Sequence, residues 1–296
     1  MKDFITINSC GIEELKELLE ISFDLKKTYK AGGRDLCLAG KNLAMIFEKP
    51  SLRTRLSFQV AMKDLGGNGI YIKPDDIGGM VGKREPIKDM ARVFERYCGG
   101  IMARTFAHDT VEELAKYSKV PVINALTDWS HPCQAMADIM TIKEHKGELE
   151  GIKVARSLAF ACSKFGMVFS AASPAGYELD NASVVKSNDS YPGSVGAVSD
   201  PFEAVKDADV IYTDTWVSMG QEEEKQQRIK EFQGYQVNME LLEAANDGAI
   251  VLHCLPAYRG LEITDDVMES ENSVVFDQAE NRLHFQRGLL KKLMSS

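Results

Sequence analysis

Within the nine residues Phe47-Glu48-Lys49-Pro50-Ser51-Leu52-Arg53-Thr54-Arg55 the chain gathers two arginines, two hydroxyls and the start of an amphipathic helix. Guanidinium forks match the geometry of a phosphate. Leu43-Ala44-Met45-Ile46-Phe47 is a short apolar run that suits a buried strand. From Leu56 onward, Phe58, Val60, Ala61 and Leu65 recur at helical spacing. Pro50 fits the turn between the two elements, and Ser51 fits an N-cap. A helix start exposes unpaired backbone N–H groups and the positive end of the dipole, so this stretch is suited to an oxyanion. Alone, an S-x-R-T-R string more often marks a capped helix with solvated arginines. The rest of the chain weighs against that plainer reading.

Four further clusters fall where strands are expected to end, the place where open parallel sheets bind ligands. Arg104 closes an apolar run at Gly100–Arg104 and is followed by Thr105, Phe106 and His108. His131-Pro132-Cys133-Gln134 follows Asp128-Trp129-Ser130 and opens a helix. Asp214-Thr215-Trp216-Val217-Ser218-Met219-Gly220 follows the run Val210–Thr213. His253-Cys254-Leu255-Pro256-Ala257-Tyr258-Arg259-Gly260 follows Ala249–Leu252. Each has a plain structural reading: His-Pro as a helix start, His253 as a satisfied core histidine, Cys254 as a small buried hydrophobe, Met219 as packing. His131 and His253 show no short-range ligand spacing, so no metal site is expected. Their joint placement at strand ends, with Arg53 and Arg104 to hold an anion, is harder to dismiss.

The elements that must position these residues alternate. In the first half, helices are predicted near Ile12–Lys27, from Arg53 to Leu65, and over Ile87–Tyr97, Val111–Tyr117 and Cys133–His145. Strands are predicted at Leu43–Phe47, Gly69–Ile72, Gly100–Arg104 and Val120–Ala125. The second half places strands at Ile152–Ala155, Met167–Ala172, Val210–Thr213, Ala249–Leu252 and Val274–Phe276. Its helices fall near Ser157–Phe165, Pro201–Lys206, Met239–Ala245, Thr264–Glu269 and Ala279–Leu293. Alternation of this kind gives an α/β fold of parallel sheets covered on both faces. The polar, glycine-flanked Lys146-Gly147-Glu148-Leu149-Glu150-Gly151 marks the expected domain boundary. At Ala155-Arg156 a strand runs into a predicted helix without turn residues, although such loops usually take about 2–6 residues.

At 296 residues the chain accommodates two domains of ordinary size. A net charge of −9 argues against nucleic acid or an anionic membrane as partner, so any anion site is a local basic pocket in an acidic molecule. No apolar run approaches the roughly 20 residues that span a bilayer. The scattered cysteines (10, 37, 98, 133, 162, 254) show no C-x-x-C pair, and the first residues lack a signal peptide's regions. Both point to reduced thiols and a cytoplasmic protein.

From Phe47–Arg55 through Arg104, His131–Gln134, Asp214–Gly220 and His253–Pro256 to Asn281-Arg282, the ordered set resembles the aspartate/ornithine carbamoyltransferase family, most of all its ornithine-using members. The resemblance implies two doubly wound parallel-sheet domains with the active site between them. Residues 1–146 plus a C-terminal helix at 278–296 would bind carbamoyl phosphate, and residues 147–277 would bind the amino acid. The implied reaction passes the carbamoyl group to the side-chain amine of L-ornithine, giving L-citrulline and phosphate, without metal or organic cofactor. The implied assembly is a homotrimer or a multiple of trimers with active sites at subunit interfaces.

Carried over by position, Ser51, Leu52 through its backbone N–H, Arg53, Thr54 and Arg104 would hold the phosphate. Thr54, Arg104, His131 and Gln134 would contact the carbamoyl group, with Cys254 and the Leu255 backbone nearby and Arg282 adding positive charge. Of these, Arg104, His131, Gln134 and Cys254 are the expected catalytic set. Asp214, Ser218 and Met219 would hold ornithine, with Asp214 and Cys254 around its amine. These loops present a carboxylate and neutral groups where aspartate-using relatives need cations, which favours a cationic or neutral amine. Phosphate is the expected proton acceptor, with His131 as the alternative base.

Three departures from the family pattern stand out. A Gly-Asp-Gly-Asn-Asn-like loop is absent between Ala155 and Arg156, and Leu52 replaces a common threonine. Met80, in the glycine-rich stretch 76–85, stands where a glutamine is common; Lys83 or Arg84 there remain available to act on a neighbouring subunit. The alternatives left open are a carbamoyltransferase for putrescine or an N-acylated ornithine, and an inactive or small-anion-binding relative. A nucleotide-binding fold is weak, since no strand is followed by G-x-G-x-x-G and no P-loop occurs.

Overall fold

The computed structural model describes residues 1–155, 158–179, 181–217 and 222–295. The chain divides into two compact units, one of residues 1–137 and 281–296 and the other of residues 138–280.

The first unit is built from α1 (Ile12–Lys30), β1 (Asn42–Phe47), α2 (Leu52–Asp64), β2 (Asn68–Ile72), α3 (Ile87–Tyr97), β3 (Gly100–Arg104), α4 (His108–Tyr117), β4 (Val122–Leu126) and the start of α5 (Pro132–Lys146). Its sheet has the order β2-β1-β3-β4, with every pair parallel. β1 and β3 are apolar on both faces because helices cover both sides of a parallel sheet, and all five residues of β3 are buried. The free edge of β4 is taken up by the N-terminus. The Phe4 N–H donates to the Val122 carbonyl at 2.9 Å, and the Asn124 N–H donates to Phe4 O at 2.8 Å.

The second unit holds the rest of α5, β5 (Lys153–Ala155), α6 (Ala159–Lys164), β6 (Val168–Ala172), α7 (Asn181–Ser190), β7 (Ser194–Val198), α8 (Pro201–Val205) and β8 (Val210–Thr213). It continues with α9 (Lys225–Glu231), α10 (Met239–Glu243), β9 (Ile250–His253), α11 (Asp265–Met268) and the start of α12 (Val275–Met294). Its parallel sheet runs β7-β6-β5-β8-β9. Val205, Ile211, Val251, Ile263, Val267 and Val275 form the centre of one of its cores.

Two expectations about elements need correction. Val274–Phe276 is not a strand: the Val274 N–H donates to the Val251 carbonyl at 3.1 Å, a single bridge joins Val251 to Ser273, and α12 begins at Val275. A three-residue apolar run cannot separate a strand from a buried helix start by periodicity. The edge strand β7 and the helix α7 before it escaped notice because Ser194-Val195-Gly196-Ala197-Val198 carries no apolar alternation strong enough to read. Arg156 and Ser157, at the junction lacking turn residues, lie outside the described residues.

The end of α12 returns to the first unit and packs on α1. A Cβ at Gly288 would collide with the Ser22 side chain, so only glycine permits this approach. Its neighbour Arg287 stacks 3.9 Å over the Tyr29 ring and ion-pairs with Asp64. These anchors place the face of α12 that carries Arg282.

Candidate active site

β1 ends at Phe47, and the chain reaches α2 through Glu48-Lys49-Pro50-Ser51. Ser51 is the N-cap in extended conformation. Its Oγ accepts the Thr54 N–H at 3.4 Å and donates to Thr54 Oγ1 at 3.0 Å. Helix geometry leaves the Leu52 and Arg53 N–H groups without intrahelical partners, the condition that makes a helix start receptive to anions. The Leu52 side chain is 77% exposed, so only its backbone is placed to serve a ligand here.

Thr54 is buried, and the Arg282 guanidinium of α12 donates to its Oγ1 at 2.9 Å. Arg104, the last residue of β3, is also buried, and its Nε has no hydrogen-bond partner. Burial first, then the neighbouring charges of Arg282 and Arg53, push Arg104 down to about 10, still cationic at neutral pH. Among the described residues, no carboxylate lies within ion-pair distance of Arg53 or Arg104. Like charges held together without a countercharge are costly unless an anion arrives to neutralise them.

His131 precedes α5, and its carbonyl accepts the N–H groups of Gln134 at 3.1 Å and Ala135 at 3.2 Å. Its Nδ1 is enclosed and has no partner. Burial, followed by the charges of Arg282, Arg104 and Lys49, holds the imidazole well below its ordinary range, so it is neutral at physiological pH. A neutral imidazole can donate one hydrogen bond to a carbonyl oxygen from one ring nitrogen. Gln134, buried in the first turn of α5, adds an amide nearby. Seven of the expected residues of this unit therefore cluster with Arg282: Ser51, Leu52, Arg53, Thr54, Arg104, His131 and Gln134.

The second unit forms its own cluster at the ends of β8 and β9. The Cys254 thiol donates to Asp214 Oδ1 at 2.9 Å, and that oxygen also accepts the Thr215 N–H at 2.7 Å. Burial and the Asp214 charge push the Cys254 thiol well above its ordinary value, so it serves as a neutral donor rather than a thiolate nucleophile. Leu255 takes a left-handed φ of 57° and leads into a cis peptide bond with Pro256. His253 is fully satisfied: its Nδ1 accepts the Leu255 N–H at 2.9 Å and its Nε2–H donates to Glu262 at 3.1 Å. The Glu262 carboxylate also accepts the Tyr258 N–H at 2.5 Å, so His253 acts as a clamp on this loop. Asp214, His253 and Cys254 lie close enough to share a cation, but both ring nitrogens of His253 are already engaged. Arg259 pairs with Asp265 and Glu269 on the surface. Ser218 and Met219 lie outside the described residues.

Two residues near the basic cluster escaped the sequence reading. Glu48 and Lys49 sit inside the motif that opened it, yet neither was assigned a part. Lys49 lies 4.7 Å over the Phe106 ring, and burial with the Arg104 charge lowers its pKa. Charged residues at the end of a buried strand were the signal that could have found both.

Residues 2–144 match the family domain described as "Aspartate/ornithine carbamoyltransferase, carbamoyl-P binding domain", and residues 147–293 match its "Asp/Orn binding domain". The chain belongs to the aspartate/ornithine carbamoyltransferase family. An ornithine carbamoyltransferase of Methanosarcina mazei is 50% identical over 302 residues, covering 99% of this chain and 99% of that protein. One from Archaeoglobus fulgidus is 47% identical over 303 residues, covering 99% and 98%. The solved structure of ornithine carbamoyltransferase from Pyrococcus furiosus superposes with a TM-score of 0.95 at 47% identity, covering 99% of this chain and 97% of that one. The M. mazei comparison extends over more residues than the 296 of this family member, so that relative carries residues without a counterpart here.

Proposed function

We propose that this carbamoyltransferase passes the carbamoyl group of carbamoyl phosphate to the side-chain amine of L-ornithine, giving L-citrulline and phosphate. The observation that carries the reading is the convergence of Arg53, Arg104 and Arg282 at the start of α2, with Arg282 bonded to Thr54.

In this reading Ser51, the Leu52 N–H, Arg53, Thr54 and Arg104 bind the phosphate, and Arg282 adds charge while fixing the Thr54 hydroxyl. Arg104, Thr54, His131 and Gln134 address the carbamoyl oxygen, with Cys254 and the Leu255 backbone around the same group. The amine attacks the carbamoyl carbon, a C–N bond forms, and the C–O bond to phosphate breaks. Negative charge then grows on the carbonyl oxygen and on the leaving phosphate. Fixed donors aimed at that charge are the main source of rate, each worth about 2.7–4 kcal/mol. His131, held neutral among cations, acts as a hydrogen-bond donor, and the amine's proton passes to the phosphate. Asp214, Ser218 and Met219 bind ornithine. The Asp214 carboxylate, fixed by Cys254 and the Thr215 N–H, suits the side-chain amine.

Six free cysteines support a reducing compartment and hence a cytoplasmic protein. A homotrimer or multiple of trimers fits exposed apolar side chains beside the basic cluster, Leu52 and Leu56 of α2 and Met80 of the following loop. The decisive experiment assays carbamoyl transfer from carbamoyl phosphate to ornithine, putrescine, aspartate and N-acetylornithine side by side. Citrulline formation with ornithine far above the other three is expected. Preference for another amine would overturn the choice of acceptor, and no transfer at all would overturn the activity.

A further inference from the structure

Glu48 is a buried carboxylate beside a cluster of cations, yet both of its oxygens are spent on backbone amides. Oε1 accepts the Val81 N–H at 2.7 Å and Oε2 accepts the Phe106 N–H at 2.6 Å. Its own N–H donates to the Arg104 carbonyl at 2.9 Å. One residue thus ties together three segments distant in sequence: the approach to α2, the loop around Val81, and the turn that follows Arg104. Val81 and Ile77 anchor this loop in the core beside Ile46 and Met90, whereas Gly78 and Gly79 between them take positive φ and Met80, Lys83 and Arg84 are exposed. The bond to Glu48 therefore fixes the backbone at the buried end of an otherwise exposed stretch.

We propose that Glu48 is a positioning residue for carbamoyl phosphate, which through these two amides sets the turn after Arg104 and the Val81 loop and leaves Arg104 without a carboxylate partner, available to the substrate. The inference rests on the reading of this pocket as the carbamoyl phosphate site. A carboxylate that ion-paired with Arg104 would neutralise the cation before substrate arrived. Held between two N–H donors, it satisfies its charge locally and keeps the guanidinium available. A carboxamide of the same size can accept only one of the two bonds and turns its NH2 group against the other donor.

The test uses the full-length protein and Glu48→Gln, with two readouts. The first is hydrogen exchange of peptides covering Val81 and Phe106. The second is the KM for carbamoyl phosphate against the KM for ornithine, with phosphate binding followed by calorimetry. Faster exchange confined to those two segments is expected, with about a 10- to 100-fold rise in the carbamoyl phosphate KM and a nearly constant ornithine KM. Unchanged exchange, an unchanged carbamoyl phosphate KM, or equal losses for both substrates would overturn the proposal. If Glu48→Gln does not fold, the same readouts are taken on Glu48→Asp; failure of both to fold would assign Glu48 to stability alone and equally overturn it. Wild-type protein run alongside separates the two ideas, because absence of citrulline there refutes the activity and leaves the exchange result to judge Glu48.

Discussion

Arg282 and Thr54, 228 residues apart, meet through a 2.9 Å hydrogen bond from the guanidinium to the threonine hydroxyl. The bond orients a hydroxyl whose own proton is then directed away from the arginine. It also brings a third cation to the helix start that already holds Arg53.

Because the two residues act as one unit, Thr54→Val and Arg282→Gln should not be additive. A double-mutant cycle on carbamoyl phosphate affinity, measured by calorimetry, is expected to give a coupling of about 0.5–3 kcal/mol. Additive losses would separate them.

Arg104→Ala removes a buried guanidinium proposed to meet the developing charge. A fall in kcat of about 10²–10³ is expected at saturating substrates, read in steady-state assays. Arg104→Lys should recover little, since a single ammonium cannot reproduce a planar fork.

Asp214→Asn removes the carboxylate proposed to receive the acceptor amine. The ornithine KM should rise about ten-fold or more, with the carbamoyl phosphate KM little changed. The same variant lifts a negative charge from Cys254, so the thiol should titrate at lower pH than in the parent protein, visible in thiolate ultraviolet absorbance.

The depressed His131 makes acid destabilising. In the unfolded chain this histidine takes up a proton near its ordinary 6.5, whereas in the fold it resists protonation until well below that value. The unfolded state therefore binds more protons below about 6.5, and stability falls with pH through that window. His131→Gln should flatten this part of the Tm-versus-pH curve while leaving the curve above it unchanged. Thermal unfolding across the acid range checks the sign.

Much of this arrangement was legible in the residues themselves. The strand, cap and helix around Ser51 follow from an apolar run, a proline turn and a hydroxyl at the right spacing, and Ile87–Tyr97 and Gly100–Arg104 occupy their expected bounds. Val210–Thr213 reads equally well because four buried positions in a row admit little else. What stayed hidden depends on contacts that no local pattern encodes. Nothing near Arg282 signals Thr54, and nothing near Glu48 signals Val81 or Phe106, because each partner is supplied by tertiary packing. His253 shows the reverse case. Its plain reading as a satisfied core histidine was available from the apolar strand before it, and the bonds to Leu255 and Glu262 supply the reason.

The seat of Arg282 on the final helix also bears on the order of events during synthesis. Ser51, Arg53 and Arg104 leave the ribosome long before the helix that completes their surroundings. A nascent chain can fold its first sheet early, yet it lacks the guanidinium that orients Thr54 until α12 has been made. The full set of cations at this helix start is thus assembled only after α12 has emerged.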